Sequence, residues 1–117
     1  MGRIAAGSLD RRVSILRAGS IDDGTASIDG PYVEIGRRWA KKTDVSDGER
    51  VRAAAQSQEI TSRFLVRSDA LTRTITGKDR LQCRGVSYEV TGTKETDDRD
   101  DGIEITTVAR PDQVLTA

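Results

Sequence analysis

Three groups of side chains in this chain could hold a metal or touch an anion. Asp97, Asp98, Asp100 and Asp101 crowd an acidic bend that ends at Gly102. Carboxylate oxygens at that density can bind Mg²⁺ or Ca²⁺ and so assist hydrolysis. The spacing misses the D-x-D-x-D-G calcium loop, and adjacent acids in a glycine-ended turn ordinarily meet only water. The pairs Arg11-Arg12, Arg37-Arg38 and Lys41-Lys42 could touch phosphate, although on strands such residues equally form solvated faces or pair with a neighbouring subunit. Cys83 is the single cysteine. It can make neither an intramolecular disulfide nor a cysteine-built zinc site. Its place on an apolar strand face marks it as an inert buried thiol in a reducing compartment.

Catalytic groups are missing. The chain has no histidine, so Ser-His-Asp, Cys-His and histidine-based zinc sites are excluded. Gly77-Lys78 lacks the upstream glycine and the following Ser or Thr of a phosphate-cradling loop, and no G-x-G-x-x-G occurs. The reading is therefore a non-enzyme with no cofactor and no metal. With 19 basic and 19 acidic residues the formal charge is zero, which argues against a strong sequence-independent grip on nucleic acid.

The elements that would position these groups are strands. Across residues 79–91, a two-residue turn at Arg84-Gly85 would oppose Cys83 to Val86, Leu81 to Tyr88 and Asp79 to Val90. Leu81, Cys83, Val86 and Tyr88 then share one face, and Arg80, Gln82, Arg84, Ser87 and Glu89 take the other. The same alternation predicts a strand near 10–17, a long polar loop over 18–30, a strand over 32–42 opened by Pro31, and another around Ile60 to Arg67. Leu71 to Ile75 reads as a short turn or strand, and Ile103, Ile105 and Val108 end the sheet. On the second strand Val33, Ile35 and Trp39 share a face interrupted by Arg37, which places Trp39 in the core. Glu49 to Gln56 favours a short helix, rich in alanine and marginal in water unless it docks.

These elements make one domain over residues 1–117, a small antiparallel β-barrel of five to six strands with one short helix and long loops. A domain of this size hides only roughly two-thirds of the surface its unfolded chain exposes. Its aromatic residues are only Tyr32, Trp39, Phe64 and Tyr88, so a thin core and stabilisation by neighbouring subunits are expected. The first residues are too short and polar for a signal peptide, and no apolar run approaches the ~20 residues of a membrane span.

Five segments in order carry a resemblance. They are Ala6-Gly-Ser-Leu-Asp-Arg-Arg-Val-Ser-Ile-Leu16, Arg38-Trp-Ala-Lys41, Gly48-Glu49 with its alanines and Gln56, Arg63-Phe-Leu-Val-Arg67, and Asp79-Arg-Leu81 with Gly85-Val-Ser-Tyr-Glu-Val90. Together they resemble the head-tail joining family of tailed phages, the head-closure or stopper proteins of the neck, with relatives in gene transfer agents. Tyr32, where relatives often carry tryptophan, and Ser62, in a usually apolar strand, depart from the pattern.

The resemblance implies a connector subunit in a homo-oligomeric, dodecameric ring in the neck of a virion or virus-like particle, assembled in the host cytoplasm without a membrane. Implied partners are the portal-bound adaptor, the tail terminator or tail tube protein, and double-stranded DNA in the channel. In stopper-type relatives the loop after the second strand faces that channel. Here it maps onto Asp44 to Gln58, with Asp44, Asp47 and Glu49 repelling phosphate, Arg50 and Arg52 able to attract it, and Gln56 also facing the channel. Its bland alternative is a helix capping one barrel end. Arg37, Arg38, Lys41 and Lys42 are the expected phosphate or subunit contacts. A free-standing OB-like nucleic-acid-binding barrel is the alternative.

Overall fold

The computed structural model describes residues 6–22, 27–96 and 102–110. Alternating sequence becomes six strands, β1 (Arg11–Asp22), β2 (Ser27–Asp44), β3 (Ser62–Arg67), β4 (Asp79–Cys83), β5 (Val86–Glu95) and β6 (Gly102–Arg110), with α1 (Asp47–Ala55) between β2 and β3. They close into a barrel in the order β1-β2-β3-β6-β5-β4, every neighbouring pair antiparallel. The expected small barrel with one helix is the fold observed. Closure removes most of the free strand edges that an open sheet of this size would expose. Among the described residues, no helix is long and apolar enough to cross a membrane.

In β3, Ser62, Phe64 and Val66 are buried while Arg63 and Leu65 are half-buried, the period-two signature of a strand with one face on a core. In β4, Asp79, Leu81 and Cys83 point inward. The turn after β4 is the one expected. Arg84 and Gly85 both adopt positive φ (51° and 80°), as a type I′ hairpin requires, and Cys83 opposes Val86 and Leu81 opposes Tyr88. Val13, Ile15, Ala40, Phe64, Val66, Leu81, Tyr88 and Ile105 fill the barrel with four further side chains. Phe64 meets Tyr88 edge to face at 4.9 Å. Cys83 is buried. Ser62 is no defect, because its hydroxyl donates to Asp44 Oδ1 at 3.0 Å and its carbonyl accepts from the Thr107 hydroxyl at 2.9 Å.

Two expectations are corrected. The segment 18–30 is largely not a loop: β1 runs to Asp22 and β2 starts at Ser27, pairing Ser20 with Asp29 and Ile21 with Ile28. Polar composition does not forbid a two-stranded ribbon whose backbone is its own partner. Pro31 sits inside β2 at the register shift opposite Ala18–Ser20, where its missing N–H breaks no ladder bond. The second correction is Trp39, which is 52% exposed rather than core. Ile15 opposes Gly36 and Leu16 opposes Glu34, so Ile35 is an extra, bulged residue. Ile35 packs against the core, and beyond it Gly36 and fully buried Ala40 take the inward positions. Trp39 is turned outward by that change of phase.

The β3–β4 connection covers the barrel end from which the distal β1–β2 ribbon extends. It contains a single 3₁₀ turn, Thr72–Thr74, and buries Thr72 and Ile75. Leu71 lies directly over Gly36, where a Cβ would meet its Cδ2 at 2.4 Å, so a larger residue at 36 would push the Leu71 side chain aside. An ion pair with a buried carboxylate and a partly exposed guanidinium fastens the connection. Asp79 receives Arg17 Nε at 2.9 Å and Nη2 at 3.0 Å, while Arg17 Nη2 also donates to Thr74 Oγ1 at 2.9 Å.

Candidate functional site

The barrel end opposite the ribbon carries α1, whose sequence explains both its limits. Ser46 caps it by accepting the amide of Glu49 at 3.2 Å, and Asp47 and Glu49 complement the positive end of the helix dipole while Arg52 suits the negative end. At the other end Ser57 turns to φ 60°, and the amides of Ser57 and Gln58 return to Ala54 and Ala53 carbonyls at 3.0 and 2.9 Å. That is a Schellman stop made with serine where glycine is usual.

The helix is lightly held. Ala53 is its single buried residue, and Val51 points to solvent at 69% exposure. The remaining anchor is Glu49, bound by both terminal nitrogens of Arg63 on β3. That contact holds the Glu49 carboxyl below the usual glutamate range and raises Arg63. The helix starts and ends slightly earlier than the Glu49 to Gln56 expected.

Of the residues expected in the channel-facing loop, the structure separates Asp44 from the rest. It ends β2 and accepts from Lys42 Nζ at 2.9 Å, and with the Ser62 hydroxyl this holds its carboxyl below the ordinary aspartate range. Asp47, Glu49, Arg50 and Arg52 lie on α1, and Gln56 caps its C-terminus through its own amide. Arg50 lies 3.9 Å from Asp47. These side chains form a mixed-charge surface on an otherwise alanine-rich helix.

The four expected phosphate or subunit contacts divide by strand parity. Arg38 binds Asp69 at 2.8 Å and Lys42 binds Asp44. Arg37 and Lys41 flank Trp39 on the outer face, where Arg37 Nε reaches Glu34 at 3.0 Å. Lys41 alone of the four has no ion-pair partner among the described residues. Arg12, paired in register with Trp39, lays its guanidinium 5.2 Å from the indole centroid. Sequence reasoning missed this Arg12–Trp39 platform, and the one signal for it was Ala40, the small residue that fits a crowded interior. The acidic bend at Asp97, Asp98, Asp100 and Asp101 lies outside the described residues. Among the described residues no cluster of His, Cys, Asp or Glu could hold a metal ion.

The fold is shared with a solved structure. The solution structure of protein SF1141 from Shigella flexneri 2a superposes with a TM-score of 0.71 at 19% identity, over 94% of this chain and 100% of that one. At that identity the likeness concerns the fold. No curated protein sequence is significantly similar to this chain. The family model of the phage head completion protein matches residues 4–110, a span that includes all six strands. The chain therefore belongs to the phage head completion protein family, a family of virion-associated structural proteins.

Proposed function

We propose that this chain is the head-closure, or stopper, subunit of a phage or gene transfer agent neck. Copies form a ring, dodecameric by the resemblance, between the portal-bound adaptor and the tail terminator or tail tube, and the ring helps retain packaged DNA. The observation that carries this reading is α1: a closed, well-filled barrel presents at one end a helix fastened by one alanine and one ion pair. Such an element can leave its docked position at little cost while the barrel stays rigid, as a segment that must admit and then hold a duplex requires. The mixed charge of Asp47, Glu49, Arg50 and Arg52 suits that task, since a wholly basic lining would release many counterions and hold DNA too tightly to let it pass.

Purified chain should bind portal–adaptor complexes and appear as an added ring in negative-stain images. A chain with no affinity for those complexes contradicts the proposal. For the alternative OB-like nucleic-acid-binding barrel, the exposed indole of Trp39 counts in favour, while three of the four expected cations are already ion-paired.

A further inference from the structure

We propose that the outer flank bearing Trp39 and Arg12 inserts into a hollow on the opposite flank of a second copy of this chain, joining copies head to tail. The inference rests on the ring reading above and names the contact that builds the ring.

The projecting half lies on the β1–β2 seam. Trp39 is half-exposed and already held by the guanidinium of Arg12, so little of its side-chain freedom remains to be lost on association. A fixed tryptophan–arginine pair is the kind of side-chain set that dominates binding at protein interfaces.

The receiving half lies on the β5–β6 seam, where a hollow of about 530 Å³ opens beside the segment that follows α1. Ile60 and Val108 give it apolar lining, and Gly92 leaves open space where a side chain would stand. At its rim Glu59 and Glu89 share the single guanidinium of Arg110, at 3.1 and 3.0 Å. The Glu59 side chain remains 66% exposed, a carboxylate available to Arg12 of another copy.

Topology sets the direction. In the cyclic order β1-β2-β3-β6-β5-β4, the β1–β2 and β6–β5 seams are diametrically opposed. Two copies of the Trp39 flank would bring Arg12, Arg37 and Lys41 against themselves, offset among the described residues by Glu34 and by Glu104 near Lys41, so self-pairing of this basic face is disfavoured. A projection on one flank and a hollow on the opposite flank make a heterologous contact, which propagates into a ring when its rotation closes.

The test uses sedimentation velocity of the full chain from micromolar to millimolar concentration, with Trp39→Ala to remove the projection and Gly92→Phe to fill the hollow. Wild type should self-associate, and each variant should associate at least ~30-fold more weakly, the effect of losing an interface hot spot. Mixing the two variants should restore a discrete heterodimer, because each keeps one intact flank. As a check independent of packing, Arg12→Glu should weaken association and Glu59→Arg added to it should restore it. If wild type and both variants associate equally, this contact is wrong while the ring reading stands. If wild type associates but the mixed variants stay monomeric, the head-to-tail geometry is wrong. A wild-type chain that is monomeric throughout overturns both the contact and self-assembly. Emission of Trp39, the lone tryptophan, that responds to duplex DNA and not to protein concentration assigns the flank to nucleic acid and overturns the proposal.

Discussion

The Asp79 carboxylate is only 1% exposed, and its two oxygens are taken up by Arg17 and by the amide of Thr76 at 3.1 Å. Because the pair also ties β1 to the β3–β4 connection, and the Arg17 left behind is partly open to water, Asp79→Ala should lower stability by about 1–3 kcal/mol in denaturant unfolding. An unchanged midpoint would show that the connection holds without it. A smaller effect of opposite sign is expected at the tight turn. Arg84 sits at φ 51°, a left-handed conformation costly for most side chains but tolerated by asparagine through local hydrogen bonding, so Arg84→Asn should stabilise the hairpin by roughly 0.5–1 kcal/mol, read as a raised Tm. The turn was legible from residues 79–91 because Gly85 and two-residue spacing fix a register locally. The Arg17–Asp79 pair was not, since its members lie 62 positions apart and neither has a local pattern that announces it.

Element by element, legibility depends on whether local pattern and tertiary phase agree. In β3 they agree, and its inward residues follow from alternation. In β2 they do not, because the bulge at Ile35 changes which residues face inward and carries Trp39 to the outside. The ribbon formed by the ends of β1 and β2 was hidden for another reason: its sequence is polar and carries no apolar alternation, so backbone pairing alone makes it a strand.

The helix was visible by propensity but its docking was not, since one alanine and a Glu49–Arg63 pair carry no periodic signal. Two outcomes follow for α1. Ser57→Gly removes the positive-φ penalty at the Schellman stop and should strengthen the helix by about 1 kcal/mol, seen as slower amide exchange over residues 47–55. The Glu49 carboxyl is depressed in the folded state, so its contribution is full above the ordinary glutamate range and is lost as pH falls through the lowered value. Backbone resonances of α1 should therefore shift only at acid pH below that range, and Glu49→Gln should abolish the transition. A transition unchanged in Glu49→Gln would assign it to other carboxylates, such as Asp44 or Asp69, which are also held low.

For the whole molecule, function follows from shape and contact. The barrel is closed, its core is filled by aliphatic side chains around Phe64 and Tyr88, and among the described residues every fully buried side-chain polar atom has a hydrogen-bond partner. Charge balance argues that binding to free duplex is weak. A salt titration with short DNA should show a shallow slope and no tight complex, whereas tight binding with a steep slope favours the OB-like alternative. The central claim, that copies of this chain close the head and present residues 44–58 to the channel, is tested most directly by density for the neck of an intact particle. The account predicts the barrel in a ring between adaptor and tail, with the α1 end turned toward the DNA. Density that places the chain outside the neck, or turns α1 to the outer surface of the ring, would contradict it.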